Sequence, residues 1–289
     1  MSFKYILGIS AFFHDSSACL LKDGKLIAAA QEERFTRKKF DSSFPMNSIN
    51  FCLNFENIDI SKVSTIAYFE NSDLKFDRII NIYLRYLPSS FKMLILALIS
   101  WTKHKLLIEY KIKKKLKFTG HFNFFDHHFS HASSAFYPSP FIESAIIVID
   151  AVGEWNCTTI SKGDHNNINM LSNIDYPNSL GMLYSAFTEF SGFNVNADEY
   201  KLMGLAPYGM PIYKDLILSE LIKVKSDGSY KINLKYFNYH KGITTINAEF
   251  EKLFKNKKRL LDEPIRVIDE NMASSIQSVM NLILINIAK

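Results

Sequence analysis

The chain has 289 residues, of which 47% are hydrophobic and 22% are charged, and its formal net charge is +5. This composition is that of a globular protein with a large core, and it excludes a disordered, collagen-like or low-complexity chain. The three cysteines (Cys19, Cys52 and Cys157) form no CxxC pair, which argues against a disulfide framework or a cysteine metal site. We therefore expect a reducing, cytoplasmic location, and no apolar run approaches the ~18–20 residues that span a bilayer.

The first part of the chain predicts a three-stranded meander followed by alternating helices and strands. Asp23-Gly24 is a strong tight-turn signal between the second and third predicted strands. Pro88 predicts a break in a long helical region. The predicted strands cover residues 5–11, 18–21, 26–30, 63–69 and 122–125, and the predicted helices cover residues 45–57 and most of 74–117.

Residues 103–117 (KHKLLIEYKIKKKLK) concentrate the positive charge, with seven lysines and one glutamate. The segment sums to +6, so the remaining chain sums to −1, and the charge does not imply a nucleic-acid partner. A solvated helix face is the simpler interpretation. An acidic partner or a membrane surface is the alternative, and we expect neither nucleic acid nor membrane among the partners.

The second part of the chain repeats the opening pattern. Strands are predicted over residues 144–150, 157–161 and 168–174, with a turn at residues 162–164. When Ser10 is aligned with Asp150, a lysine that opens the turn follows twelve residues later in both copies, at Lys22 and Lys162. Two such units predict an internally duplicated α/β protein of the actin, sugar-kinase and Hsp70 type, with halves at residues 1–140 and 141–289.

The second predicted half is incomplete. Helices are predicted over residues 179–191 and 265–287, and no further strands follow. The second helix has an apolar stripe at helical spacing that needs a covering surface. The sequence therefore predicts a fragment or half of a split protein, with this helix exposed and prone to aggregation or dimerisation. The stripe comprises Ile265, Ile268, Met272, Ile276, Val279, Ile283 and Ile287.

The segment DHHFSHASSAF contains a candidate metal site. His127 and His131 are four residues apart, so they share one face of a helix that Asp126 can cap. Asp150 ends a predicted strand 19 residues after His131, and strand ends are where α/β folds place ligands. Two imidazoles and one carboxylate predict a divalent ion, with iron as the expected metal. The alternatives are structural histidines and a turn-capping Asp150; His128 faces elsewhere on the helix.

His14 and Asp15 follow the first predicted strand. A histidine there suits a base that takes a proton from a hydroxyl nucleophile, and the adjacent carboxylate suits a group that orients the imidazole or the substrate. The alternative is a loop histidine hydrogen-bonded to backbone.

Two further clusters suit anion binding. Arg34 and Lys39 lie in a basic run after the third strand and predict a phosphate or carboxylate clamp, unless the run is a solvated loop. Residues 198–209 (DEYKLMGLAPYG) predict a rigid loop of close backbone approach, with Gly204 near a cofactor and Lys201 near an anion. Gly153, in the loop after Asp150, is the other candidate for cofactor approach.

Together these motifs resemble the N-terminal part of the NodU/CmcH-type O-carbamoyltransferases. The resemblance covers essentially the whole chain and rests on GISAFFHDSSACLLKDGKLIAAAQEERFTRKKFDSSFP, DHHFSHASSAFYPSPF, VIDAVGEW and DEYKLMGLAPYG. It implies an actin-like domain similar to that of threonylcarbamoyladenosine synthases, with an HxxxH metal site. It also implies a two-stage reaction, in which carbamoyl phosphate and ATP yield carbamoyladenylate and the carbamoyl group then passes to a hydroxyl of a small-molecule acceptor, often a sugar.

By this resemblance, His127, His131 and Asp150 match the family's metal ligands. His14 matches the proposed base, and Lys39 matches a lysine that handles carbamoyl phosphate. The family's glycine-rich segment, a further aspartate ligand and a YrdC-like domain lie beyond the last residue of this sequence, so we expect a separate C-terminal half or a homodimer as partner. The competing hypotheses are a non-catalytic, partner-binding half and a plain actin-like ATPase or sugar kinase, against which the HxxxH pair argues.

Overall fold

The structure is a computed structural model that describes residues 4–104 and 107–289. It is a mixed α/β protein with two compact units, one formed by Met1–Phe76 and Leu98–Ser130, the other by Asp77–Ala97 and His131–Lys289. The strands are β1 Tyr5–Ser10, β2 Ser17–Lys22, β3 Lys25–Gln31, β4 Val63–Tyr68, β5 His121–Phe124, β6 Glu143–Ile149, β7 Asn156–Asp164, β8 Asn167–Asp175, β9 Ile222–Val224 and β10 Tyr230–Ile232. The α-helices are α1 Glu33–Thr36, α2 Met46–Phe55, α3 Ser72–Arg85, α4 Phe91–His104, α5 Ile108–Leu116, α6 His127–Phe136, α7 Leu180–Phe190, α8 Glu199–Leu205, α9 Lys214–Leu216, α10 Ala248–Leu253 and α11 Val267–Ala288.

The first unit is built on a five-stranded sheet in the order β3-β2-β1-β4-β5. The β1-β2-β3 meander is antiparallel, whereas β4 and β5 add to it in parallel. Asp23 and Gly24 both have positive φ and form the two-residue turn between β2 and β3, so the predicted meander is confirmed.

Alternation of buried and partly exposed residues along β1 follows the period of two that a strand imposes. Residues of β1, β2 and β4 form one core with residues of α2 and α5. Pro88 separates α3 from α4 as predicted, while residues 105 and 106 of the basic segment lie outside the described residues. Fully buried members of this core include Leu7, Leu20, Ile49, Ile66 and Ile112.

The second unit contains the predicted second meander, an antiparallel sheet of β6, β7 and β8. Its hairpin turn lies at residues 165–166, because β7 continues to Asp164. The prediction of a turn at residues 162–164 is therefore wrong, and Lys162 is a strand residue whereas Lys22 ends its strand. The duplication of the two halves stays a prediction.

The long C-terminal helix α11 is covered within its own unit. Met272, Ile276, Val279 and Ile283 have no exposed surface and pack in one core with α7, α8 and residues 217–254. Of the predicted stripe, Ile265 is the exposed member and lies before the helix begins. The expectation of an uncovered stripe is wrong, because the segment 217–254 supplies apolar side chains that the periodic pattern did not reveal. No helix in the described ranges is both long and apolar enough to cross a membrane.

The burial of α11 predicts a large difference between two of its isoleucines. Ile276→Ala is expected to lower the free energy of unfolding by about 2–5 kcal/mol, because it leaves a cavity in a closed core. Ile285→Ala on the same helix, at a residue that is 55% exposed, is expected to change it by about 0.5 kcal/mol or less. Urea denaturation measures both; equal losses would mean that α11 is not packed as described.

Candidate active site

Helix α6 presents two histidines on one face. The Asp126 carboxylate accepts the backbone N–H of Phe129 at 2.8 Å and caps the first turn, as predicted. His127 and His131 then stand one turn apart on a continuous helix, so the helix itself fixes their relative position. The ring of Phe69, just after β4, packs against that of His127 with 5.7 Å between centroids.

Asp150 comes directly after β6 and is held there by backbone pairing. Its N–H donates to the Cys157 carbonyl at 2.9 Å, and its Oδ1 accepts the N–H of Ala151 at 2.6 Å. The predicted capping interaction of this carboxylate is therefore present. A carboxylate has two oxygens with several acceptor sites, so capping is compatible with metal binding.

Packing between α6 and β6 brings Asp150 to the histidines. Ala132 and Phe136 of the helix form a small core with Ile146 and Val148 of the strand. One nitrogen of each histidine and one oxygen of Asp150 lie within 4.8 Å of one another. The three predicted metal residues are thus brought together, and His128, buried elsewhere on the helix, is not part of the cluster.

Gly163 in β7 makes this packing possible. A Cβ atom at this position would lie 2.6 Å from the ring of Phe136. The Phe136 ring therefore packs on the sheet where β7 has no side chain, opposite Ser144 near the start of β6, and this contact helps to hold α6 against the sheet.

The donor set fits a divalent transition metal. Donor atoms that bind one ion at about 2.1 Å lie roughly 3–4 Å apart. Small side-chain rotations would therefore bring the three donor atoms to the separations that one bound ion requires. His131 is exposed, whereas His127 and Asp150 are half-buried, so the cluster is open on one side. Two imidazoles and a carboxylate with open positions are typical of Fe(II) and related sites.

The loop after β1 holds His14 and Asp15 as a pair. The Nδ1 atom of His14 lies 2.7 Å from Oδ2 of Asp15, and the two side chains are 47% and 35% exposed. Phe12 and Asp15 have φ of 72° and 49°, a backbone region that non-glycine residues rarely adopt. Strain of this kind persists only where the surroundings impose it, and it is frequent at functional sites.

The segment that contains Lys39 is tied to the same loop. Backbone N–H groups of Phe12 and Ser16 donate to the carbonyls of Ser42 and Asp41, at 3.2 and 2.8 Å. Hydrogen bonds from Ser43 and Thr36 lower the pKa of Asp41 and hold the segment in place. Lys39 is exposed at the edge of this segment.

Arg34 projects from α1 with its side chain 70% exposed, and its Nη2 is 3.7 Å from Glu33. Glu32, two residues before Arg34, is held in place by several hydrogen bonds. Glu32 is buried, and although burial opposes ionisation, hydrogen bonds from Ser48 and Asn47 outweigh it and lower its pKa. The segment that carries the basic residues is therefore held in place, while Arg34 and Lys39 are exposed to solvent.

Sequence reasoning missed an ion pair beside His14. Glu70 and Lys75 are bonded to each other and largely buried, and the Lys75 Nζ lies 4.9 Å from the centre of the Phe13 ring. The Phe13 ring in turn lies 4.5 Å from that of His14. A detectable signal was present, because Glu70 follows the carboxyl end of β4, where α/β folds place functional groups.

Residues 198–209 correct one prediction. They form helix α8 and a 3₁₀ turn, Ala206–Tyr208, rather than a loop. Lys201 donates to Asp198 at 2.7 Å. This ion pair raises the pKa of Lys201 and offsets its charge at the start of α8.

The glycines of the prediction also differ from one another. Gly204 has no atom within 4 Å of the position of a Cβ, so no close approach requires glycine there. The close approach falls at Gly209, where a Cβ would lie 2.1 Å from the Glu270 carbonyl oxygen on α11. Gly153 is buried in the loop after Asp150 and donates its N–H to Asn156 at 2.9 Å.

Comparison with known proteins identifies relatives that match most of the chain. An uncharacterised protein from Synechocystis is 44% identical over 291 aligned residues, which cover 98% of this chain and 47% of that protein. The nodulation protein NolNO from Sinorhizobium fredii is 32% identical over 225 residues, which cover 78% of this chain and 32% of NolNO. The chain thus spans about half the length of the first of these relatives and about a third of the second.

YeaZ from Pseudomonas aeruginosa has a TM-score of 0.33 and 13% identity, over 60% of this chain and 67% of YeaZ. A TM-score at this level does not establish a shared fold. The family described as Carbamoyltransferase N-terminus, in contrast, matches residues 5–289. Because this match covers nearly every residue, and because the resemblance to the NodU-type enzymes is supported by NolNO, the chain belongs to the carbamoyltransferase N-terminus family.

Proposed function

We propose that the chain carries out the acceptor step of a carbamoyl transfer. In this step a carbamoyl group passes from carbamoyladenylate, made from carbamoyl phosphate and ATP, to a hydroxyl of a sugar or natural-product acceptor. The observation that carries the proposal is the cluster of His127, His131 and Asp150 in a chain of a carbamoyltransferase family. The sheet order β3-β2-β1-β4-β5 in the first unit supports an actin-like architecture for it.

His14 is the general base of the proposed step. When Oδ2 of Asp15 accepts a hydrogen bond from Nδ1 of His14, the imidazole is held in the tautomer in which Nε2 has a lone pair for a proton. Because the side chain is about half exposed, Nε2 is accessible to an acceptor hydroxyl. Asp15 thus orients the imidazole and stabilises the cation that forms on proton transfer.

The bonds in the step balance without a further reactant. The acceptor oxygen attacks the carbamoyl carbon and forms a new C–O bond, while its proton moves to Nε2 of His14. The bond between the carbamoyl carbon and the phosphate oxygen breaks, and AMP leaves with the electron pair. Lys39, exposed on the segment bonded to the His14 loop, is placed to offset charge on the phosphate.

His127, His131 and Asp150 would hold the divalent ion. When bound, such an ion supplies a positive charge that stabilises negative charge on a reacting oxygen. The protein's own contribution is the spacing of the three donors, which the α6 helix and the end of β6 set before any ion binds.

A radiolabel assay tests the proposal on the purified protein. With ¹⁴C-carbamoyladenylate supplied as the donor and a panel of sugars and natural products as acceptors, we expect label to appear in at least one hydroxyl compound and AMP to form in equal amount. No labelled product, together with hydrolysis of added ATP, would instead support the actin-like ATPase alternative.

A further inference from the structure

Arg78 in α3 is a buried cation of the second unit. The residue is 7% exposed, and its Nε has no hydrogen-bond partner. Within residues 4–104 and 107–289, no carboxylate forms an ion pair with it at 4.0 Å or less. A buried charge without a bonded counter-ion is costly, because neither water nor a protein acceptor replaces its hydration.

The guanidinium group of Arg78 lies against an aromatic ring. Its central carbon lies 5.0 Å from the centre of the Tyr176 ring. Tyr176 is itself fixed, because its N–H donates to the Trp155 carbonyl and its hydroxyl to the Tyr239 carbonyl, both at 2.9 Å. A cation–π contact of this kind stabilises the guanidinium charge without supplying a hydrogen-bond acceptor.

The same contacts place Arg78 beside the loop between β6 and β7. Trp155 belongs to this loop, which begins at Asp150. Burial lowers the pKa of Arg78, while Tyr176, Cys157, Tyr83 and Glu154 oppose that shift. Burial also raises the pKa of Tyr176 and of Cys157, so both are neutral near pH 7, and Glu154 is the one acid of this group.

We propose that Arg78 binds an oxyanion, a phosphate or carboxylate group of a small ligand, beside the β6–β7 loop. A guanidinium group offers paired N–H donors that match two oxygens of such a group, and the buried setting of Arg78 strengthens the interaction. The oxyanion supplies the hydrogen-bond acceptors that the described residues do not give. The inference stands on Arg78 and its neighbours, and it does not depend on the proposed carbamoyl transfer.

Thermal unfolding with inorganic phosphate tests the proposal, without metal, ATP or acceptor and at constant ionic strength. Wild type is expected to gain roughly 5 °C or more in Tm at a phosphate concentration 100 times Kd. Arg78→Met is expected to lose that gain while remaining as stable as wild type without phosphate, because it removes an unpaired buried charge. Arg85→Met, at an exposed arginine of the same helix, is expected to respond as wild type.

A parallel titration with acetate distinguishes the two ligand chemistries. A larger response to phosphate supports a phosphate-bearing ligand, and a larger response to acetate supports a carboxylate-bearing one. Calorimetry on Arg78→Lys is expected to show about tenfold weaker binding of the preferred anion, because the paired donors are lost. Equal responses of wild type and Arg78→Met, no response in wild type, or undiminished affinity in Arg78→Lys would each overturn the proposal.

Discussion

Replacing His127 and His131 together with alanine is expected to weaken the affinity for Fe(II) by about 100-fold or more. The double variant removes two of the three protein donors, and loss of even a single supporting contact at such a site typically costs 10–100-fold. Metal analysis after anaerobic iron loading and gel filtration measures the effect directly. Carbamoyl transfer is expected to fall with it.

His165→Ala is the matched control for this experiment. His165 lies in the exposed turn between β7 and β8, where it pairs with Asp164 at 2.6 Å and is remote in sequence from the three donors. Its loss is expected to leave the iron content unchanged. If the double variant retained as much iron as His165→Ala, the cluster would not be the metal site.

The proximity of His127, His131 and Asp150 was predictable because each of these residues obeys a local rule. The spacing of four places His127 and His131 on one helix face, and Asp126 caps that helix as its sequence position indicates. Asp150 follows a strand whose apolar residues mark its end. The sequence did not reveal the packing role of Gly163, which leaves space for the Phe136 ring on the sheet.

The predictions that failed depend on contacts between distant segments. The stripe on α11 is covered by residues 217–254, whose short helices and strands have too little periodicity to be recognised as a packing surface. Residues 198–209 contain two glycines and a proline, which favour a loop. The buried Leu202 and Leu205 outweigh that preference, because their burial on a helix face stabilises α8.

The side chains that surround His14 also include residues that could not be predicted because they are distant in sequence. Asp15 was identified because it is the next residue, whereas the Glu70–Lys75 pair reaches Phe13 only through tertiary packing. Such a contact has no signal in sequence spacing. The charged pair and the strained backbone are both found at one short loop, which supports a functional role for His14.

His14→Asn is expected to lower kcat for carbamoyl transfer by roughly 10²–10⁴. The asparagine amide can still donate to Asp15 and support the loop, but it has no basic nitrogen to accept the proton of the acceptor hydroxyl. The KM for the donor is expected to change little, since the imidazole contacts the acceptor side. His121→Asn, at the exposed start of β5, is expected to retain wild-type kinetics.

The pH dependence separates a base from a structural residue at position 14. With the base present, kcat/KM rises as the imidazole loses its proton, and that limb is expected to disappear in His14→Asn, leaving a low rate that follows the intrinsic ionisation of the acceptor. A histidine that only shaped the loop would give a lower but parallel profile, because the base would still be elsewhere. An unchanged rate in His14→Asn, or a parallel profile, would assign proton removal to another group and leave His14 with the strained loop alone.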